Sequence, residues 1–238
     1  GDPERFRATM AAPQAARAGL LALYAFNLEI ARAPWVASEA MLAEIRLRWW
    51  TDAIGEAYGG AVTRRHEVVG PLAEAITAYD LPRQPFEETI EARLFDADPA
   101  PHDDDAALRA HLDRTAGHIM ALASCILVPG GADGPALRAY AQGAGVAALL
   151  RARPELAARG RDLLPADLDP AALAREGRAA ISRARGDRAS VPRAALPAFL
   201  PGAAAEARLA AFEKDGLAEV SEFRGRWEML RASLTGRW

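Results

Sequence analysis

Tyr24-Ala25-Phe26-Asn27-Leu28-Glu29-Ile30-Ala31-Arg32-Ala33-Pro34, set within the longer stretch from Pro13 to Trp50, decides the fold. Between Ala18 and Ile30 almost every residue is apolar whichever side of a helix it occupies, the pattern of a helix buried inside an all-helical domain. Pro13 suits the first turn of that helix, and Pro34 restrains Ala33 and predicts its end. A second helix is expected to open at Ser38, an N-cap followed by Glu39 in the positive first turn. It should run through Leu42, Ile45 and Trp49 to Ile54 and stop at Gly59-Gly60. The two helices are expected to form an antiparallel pair with the rest of the chain packed around it.

With 238 residues, 51% of them apolar, the chain can bury a large core as one domain over residues 1–238. Ala and Leu dominate, Val and Ile number eight each, and no alternating apolar and polar run suggests a strand, so the class is all-α. The net charge of -3 carries no nucleic-acid signature. The single Cys125 excludes a disulfide framework and suggests a reducing compartment. No stretch matches a membrane span or a signal peptide, so a cytoplasmic location is expected.

Further along, the pattern predicts a short helix from about Val68 to Tyr79 and another opened by Pro85 and ending near Phe95. Asp96 to Asp105 reads as a loop whose last acids cap one long helix, with Leu108, Leu112, Ala116, Ile119, Leu122 and Ile126 along its apolar stripe. Pro129-Gly130-Gly131 ends it. The next helix, from Pro135 to about Arg153, carries small residues between Ala139 and Ala148 that permit close backbone approach, and Pro154 is expected to bend or end it. Asp169-Pro170 opens a basic helix to Arg185, Gly186 to Arg193 reads as a hinge-like loop, and shorter elements lead to Trp238.

Chemical motifs are sparse. His66, His102, His111 and His118 lack metal-site spacing, although His111 and His118 stand two helical turns apart. No nucleophile elbow, P-loop or dinucleotide fingerprint occurs, and Gly143 and Gly145 are read as packing glycines. Asp52 and Glu56, at i and i+4, could pair on a cation but read first as a solvated face beside Arg46 and Arg48. Trp49 and Trp50 read as core and pocket wall.

Pro13, Arg17, Leu23-Tyr24-Ala25-Phe26 and Arg46-x-Arg48-Trp49 together resemble the opening of the squalene/phytoene synthase family. Arg151-x-x-x-Glu155-x-x-x-Arg159-Gly160-Arg161-x-x-Leu164-Pro165 resembles its second signature, and the likeness extends to Val191-Pro192-x-x-Ala195-Leu196-Pro197-Ala198-Phe199-Leu200. The resemblance implies a single-domain isoprenoid synthase helical fold with a central cavity. It also implies prenyltransferase chemistry, in which two aspartate-rich motifs on facing helices hold Mg²⁺ and two prenyl diphosphates are joined head to head.

The family's acidic positions fall here on Ala31, Arg32 and Trp35 in the first motif and on Ala152 and Leu156 in the second. None offers the hard anionic oxygen that Mg²⁺ prefers, and Arg32 repels a cation. The expectation is no catalytic residue, no metal ligand and no cofactor, with Mg²⁺ needed only if the chain is an active prenyltransferase. Glu29 and Glu155 remain near the two motifs, displaced from the missing acids, where ion pairing with Arg32, Arg151 or Arg159 is the simplest role. The arginines could alternatively hold a phosphate or lipid headgroup without metal. The candidate anion or lipid pocket comprises Arg17, Tyr24, Glu29, Arg32, Arg48, Arg151, Glu155 and Arg159.

Tyr24 to Glu29, Ala141-Gln142-Gly143 leading to Leu150-Arg151-Ala152 and Pro154, and the Val191 block most resemble the family branch that contains the mitochondrial assembly factor of respiratory complex I. That likeness implies a pseudoenzyme whose partners are complex I subunits or assembly intermediates, placed in the cytoplasm or at the inner-membrane surface. A lipid- or isoprenoid-binding module and an active prenyltransferase using acids such as Asp52 and Glu56 stay open as alternatives. The two motif helices are expected to face each other across the cavity, with Arg32 and Arg151 toward one mouth.

Overall fold

A computed structural model of the chain describes residues 2–36, 40–60, 65–97 and 100–238. The described residues are helical, with no strand among them. Helix α1 (Pro3–Met10) is capped by Asp2, whose carboxylate accepts the Arg5 backbone N–H, and leads into α2 (Gln14–Val36). Leu20, Leu23, Phe26 and Ile30 of α2 are wholly buried. Phe26 forms edge-on contacts with Trp50 of α3 (Ala40–Gly59) at 5.4 Å and with Phe86 of α5 (Gln84–Phe95) at 5.3 Å. The quadrupoles of the rings favour this tilted geometry.

The burial of α2 is one-sided. Leu21 is exposed, Ala25 and Leu28 are half-buried, and a surface groove runs past them to Phe6 of α1. Pro34 does not end the helix at Ala33. It withholds one N–H from the Ile30 carbonyl, yet helical geometry continues to Val36, because a proline so near the end costs little more than that bond. The expected cap at Ser38 and Glu39 lies outside the described residues.

Helix α4 (Val69–Tyr79) ends at Asp80, the one described non-glycine residue with positive φ (49°). The expected long helix is interrupted: α6 (Asp105–Leu112), capped by Asp104 on the Ala107 N–H, passes through a π-helical turn at Asp113–Gly117 before α7 (His118–Leu127). An apolar stripe read at 3.6 residues per turn does not register the one inserted residue that such a turn accommodates. Two buried hydroxyls donate to carbonyls in and just before this turn: Thr89 Oγ1 lies 2.8 Å from the Arg114 oxygen and Thr115 Oγ1 lies 2.8 Å from the His111 oxygen.

Helix α8 runs from Pro135 to Ala158, through Pro154 and several residues beyond the expected stop at Arg153. It packs against α9 (Pro170–Gly186) through glycine: a Cβ on Gly143 would lie 2.5 Å from the Gly177 carbonyl oxygen. Asp169 caps α9 through the Ala171 and Ala172 N–H groups. Beyond it, the expected hinge-like loop contains a 3-10 turn at Arg188–Ser190. The chain closes with α10 (Leu196–Phe199), α11 (Ala205–Asp215) and α12 (Glu222–Thr235). No described helix is long and apolar enough to cross a membrane.

Candidate functional site

Helices α2 and α8 line a common cavity of about 740 Å³, within the range of roughly 300–1,000 Å³ usual for small-molecule pockets. Asn27, Ala31, Arg32 and Trp35 come from α2; Ala148, Ala152, Glu155 and Leu156 come from α8. The continuation of α8 past Pro154 carries Glu155, Leu156 and Arg159 to the wall. The π-helical turn adds Thr115 and Ala116, and the end of α5 adds Arg93 and Asp96.

Charge in this cavity is mostly positive. Its described lining includes the guanidinium groups of Arg5, Arg32, Arg93 and Arg159 and two carboxylates, Asp96 and Glu155. Both carboxylates are engaged. Asp96 is 1% exposed and receives Arg93 Nη1 at 2.7 Å, with His111 Nε2 3.3 Å from its other oxygen. Glu155 accepts from Arg159 Nη2 at 2.8 Å, while Arg159 Nη1 donates to the Trp35 carbonyl at 3.5 Å. Arg161 donates to the Asp96 backbone carbonyl and lies over the Trp35 ring at 4.8 Å. Arg32 is exposed and has no carboxylate partner among the described residues. Burial holds the His111 imidazole down at about 4, against an opposing pull from Asp96, so the ring is neutral at physiological pH.

Arg151 lies off this cavity. It lines an adjoining pocket with Tyr24 and Arg208, 3.8 Å from Glu4, and Arg5 borders both spaces. The expectation that Arg32 and Arg151 share one mouth is corrected accordingly: Arg32 lines the large cavity and Arg151 the adjoining pocket. Tyr24 is buried under the Arg5 guanidinium, 5.6 Å from the ring centre; desolvation pushes its phenol up to about 12.

The remaining sequence candidates lie elsewhere. Arg17 donates to the Ala12 and Met10 carbonyls at 3.0 Å and so closes the end of α1. Arg48 is exposed and paired with Glu44 at 2.6 Å. Glu29 lines a separate groove with Ile45, Trp49 and His66. Asp52 and Glu56 on α3 do not border the cavity. His111 and His118 meet different acids, since His118 Nε2 is 3.4 Å from Glu88, and no three potential metal donors cluster among the described residues.

Arg5, Arg93 and Asp96 are not among the sequence candidates, and His111 is weighed there only as a metal ligand. Arg5 precedes the block from which the sequence reading began, and Asp96 stood in a segment read as loop. The signal was there in Phe95-Asp96-Ala97, an acid flanked by apolar residues at the foot of an amphipathic helix.

A model of the squalene/phytoene synthase family matches residues 1–169. The chain belongs to that family. Among solved structures it is similar to squalene synthase HpnC from Alicyclobacillus acidocaldarius, with 20% identity over 88% of this chain and 87% of that one and a TM-score of 0.74. It is also similar to a dehydrosqualene synthase in complex with ligand, with 14% identity over 98% of this chain and 92% of that one and a TM-score of 0.81. At these identities the likeness establishes the fold. No match was found among curated proteins. Helices α2 and α8, to which the sequence resemblance assigns the two family motifs, both border this one cavity.

Proposed function

We propose that this family member is non-catalytic and uses its cavity to hold the anionic head of an isoprenoid or other lipid without a metal ion. The observation that carries the reading is the charge of the wall: four guanidinium groups against two carboxylates, each already held by an arginine. Ala31, Arg32, Trp35, Ala152 and Leu156, where the sequence resemblance puts the family's acids, line the same space and supply no carboxylate. Mg²⁺ requires hard oxygen ligands, and this donor set does not fit it. The same set fits a phosphate or diphosphate, whose oxygens accept paired N–H groups from arginine forks. Arg32, with no carboxylate partner among the described residues, can turn toward an anion, Arg159 is presented by Glu155 and the Trp35 carbonyl, and the apolar wall at Ala148, Ala152 and Leu156 suits a hydrocarbon tail.

For the cellular role, the likeness of the Tyr24 and Val191 blocks to the complex I assembly branch supports a helper in maturation of the NADH-quinone oxidoreductase. The binding step is tested by titrating a non-hydrolysable farnesyl thiodiphosphate in the presence of EDTA. The reading expects saturable binding that Arg32→Ala/Arg159→Ala weakens by about tenfold or more, as befits loss of two charge-assisted contacts. Binding unaffected by the double change would contradict it.

A further inference from the structure

Helix α12 keeps an apolar stripe in solvent. Phe223 is 78% exposed, Trp227 55%, Leu230 50% and Leu234 72%. These residues follow i, i+4, i+7 and i+11, so they fall within about 60° of arc and extend over roughly 16 Å of helix. The opposite face is the one that meets the body, where Ala232 is buried. Both ends of the helix are tied down. Glu222 faces Arg7 of α1 at 3.4 Å, and beyond the C-terminus Trp238 is buried, stacked on Phe199 at 4.3 Å with its carbonyl accepting from Arg185 Nε. The stripe is thus held outward by the same contacts that dock the helix.

Arginines border the stripe on both edges. On the helical projection Arg226 lies to one side and Arg224 and Arg231 to the other, with Arg237 just past the C-cap at Gly236. Residues 221–238 carry these four arginines against Glu222 and Glu228, a local charge of +2 in a chain whose net charge is -3. Arg224 and Arg237 have no carboxylate partner among the described residues.

We propose that α12 is an interfacial anchor that lays the protein on an anionic phospholipid surface, with Phe223, Trp227, Leu230 and Leu234 entering the acyl boundary and the flanking arginines meeting headgroup phosphates. Phenyl, indole and leucyl groups between two basic edges are the composition of helices that lie in the membrane interface. Arginine stems can lie along the apolar boundary while their guanidiniums stay among phosphates. A second copy of the chain fits less well. The four side chains offer roughly 500 Å², short of the ~800 Å² per partner of a stable interface, and two such surfaces would oppose like charges.

The test is co-sedimentation of the full chain with vesicles of phosphatidylcholine plus phosphatidylglycerol and with vesicles of phosphatidylcholine alone. The expected result is binding to the anionic vesicles that weakens as salt is raised. Phe223→Ser/Trp227→Ser/Leu230→Ser/Leu234→Ser should lose it by about tenfold or more, and Arg224→Glu/Arg237→Glu should lose the preference for phosphatidylglycerol. The milder Trp227→Ser/Leu230→Ser pair, with circular dichroism on each variant, keeps the comparison sound if the fourfold change disturbs folding. The proposal is overturned if the wild-type chain stays in the supernatant with anionic vesicles, if the apolar variants bind as well as wild type, or if the stripe proves to be a dimer contact, with a wild-type dimer that these variants dissociate and no vesicle binding.

Discussion

His111 Nε2 stands 3.3 Å from Asp96 Oδ1, with both side chains buried in the cavity wall. The imidazole is nevertheless held neutral, because burial outweighs the attraction of the carboxylate and drives its pKa from 6.5 to about 4. His102, 4.8 Å away, and His118 are shifted down by burial as well.

Acid should therefore destabilise the fold in a defined window. Below the unfolded value of 6.5 the unfolded chain takes up a proton on residue 111 that the folded chain refuses until about pH 4. Stability present above pH 6.5 is lost as pH falls toward 4, with a slope on the order of 1 kcal/mol per pH unit from this group. Urea unfolding between pH 7 and 4.5 should show that slope, and His111→Gln should reduce it. An unchanged slope in the variant would assign the acid sensitivity to other groups.

The α8 and α9 contact should be intolerant of a single methyl. A Cβ at Gly143 would fall 2.5 Å from the Gly177 carbonyl oxygen and equally close to Ile181 Cγ1, neither of which is the free end of a flexible chain. Gly143→Ala is expected to cost about 1–3 kcal/mol through overpacking despite alanine's higher helix propensity. Gly70→Ala, within α4 and where a Cβ meets nothing within 4 Å, is the control. Thermal denaturation compares the two directly, and equal melting temperatures would refute the close-packing account.

Much of this was legible in the sequence. The apolar run around Phe26, the small residues from Ala139 to Ala148 and the Asp169 cap each depend on local periodicity or capping chemistry, and each fixes an element wherever the chain goes afterwards. The failures have other causes. Pro34 and Pro154 are breakers by local propensity, yet both lie within four residues of a helix end, where the lost bond costs little, and both helices continue past them. The turn at 113–117 and the burial of Asp96 depend on partners distant in sequence, Thr89 and Arg161, which no local pattern names. For the site, Ala31, Arg32, Trp35, Ala152, Glu155, Leu156 and Arg159 line the cavity, whereas Arg17, Tyr24, Glu29, Arg48 and Arg151 lie off it, and Arg5, Arg93 and His111 join the lining only through tertiary packing.

In the cell, the proposed helper role predicts that deleting the gene lowers membrane NADH-quinone oxidoreductase activity while squalene, carotenoid and quinone levels stay unchanged, because a helper without catalysis removes no chemical step. Complementation with an Ala152→Trp variant, which fills the cavity where α8 borders it, should fail if ligand occupancy is part of the helper's role. Circular dichroism must show that variant folded, because overpacking alone costs about 1–3 kcal/mol. Full oxidoreductase activity in the deletion strain, with altered polyprenoid content, would exclude the helper role.

The most direct test of the cavity reading is to incubate purified protein with farnesyl diphosphate in Mg²⁺ and, separately, in EDTA, following thermal stability and diphosphate release together. Binding by guanidinium groups alone predicts the same upward shift in melting temperature in both conditions, by mass action, and no diphosphate release above a protein-free control. Stabilisation that requires Mg²⁺, or diphosphate release accompanied by a squalene-type product, would contradict it.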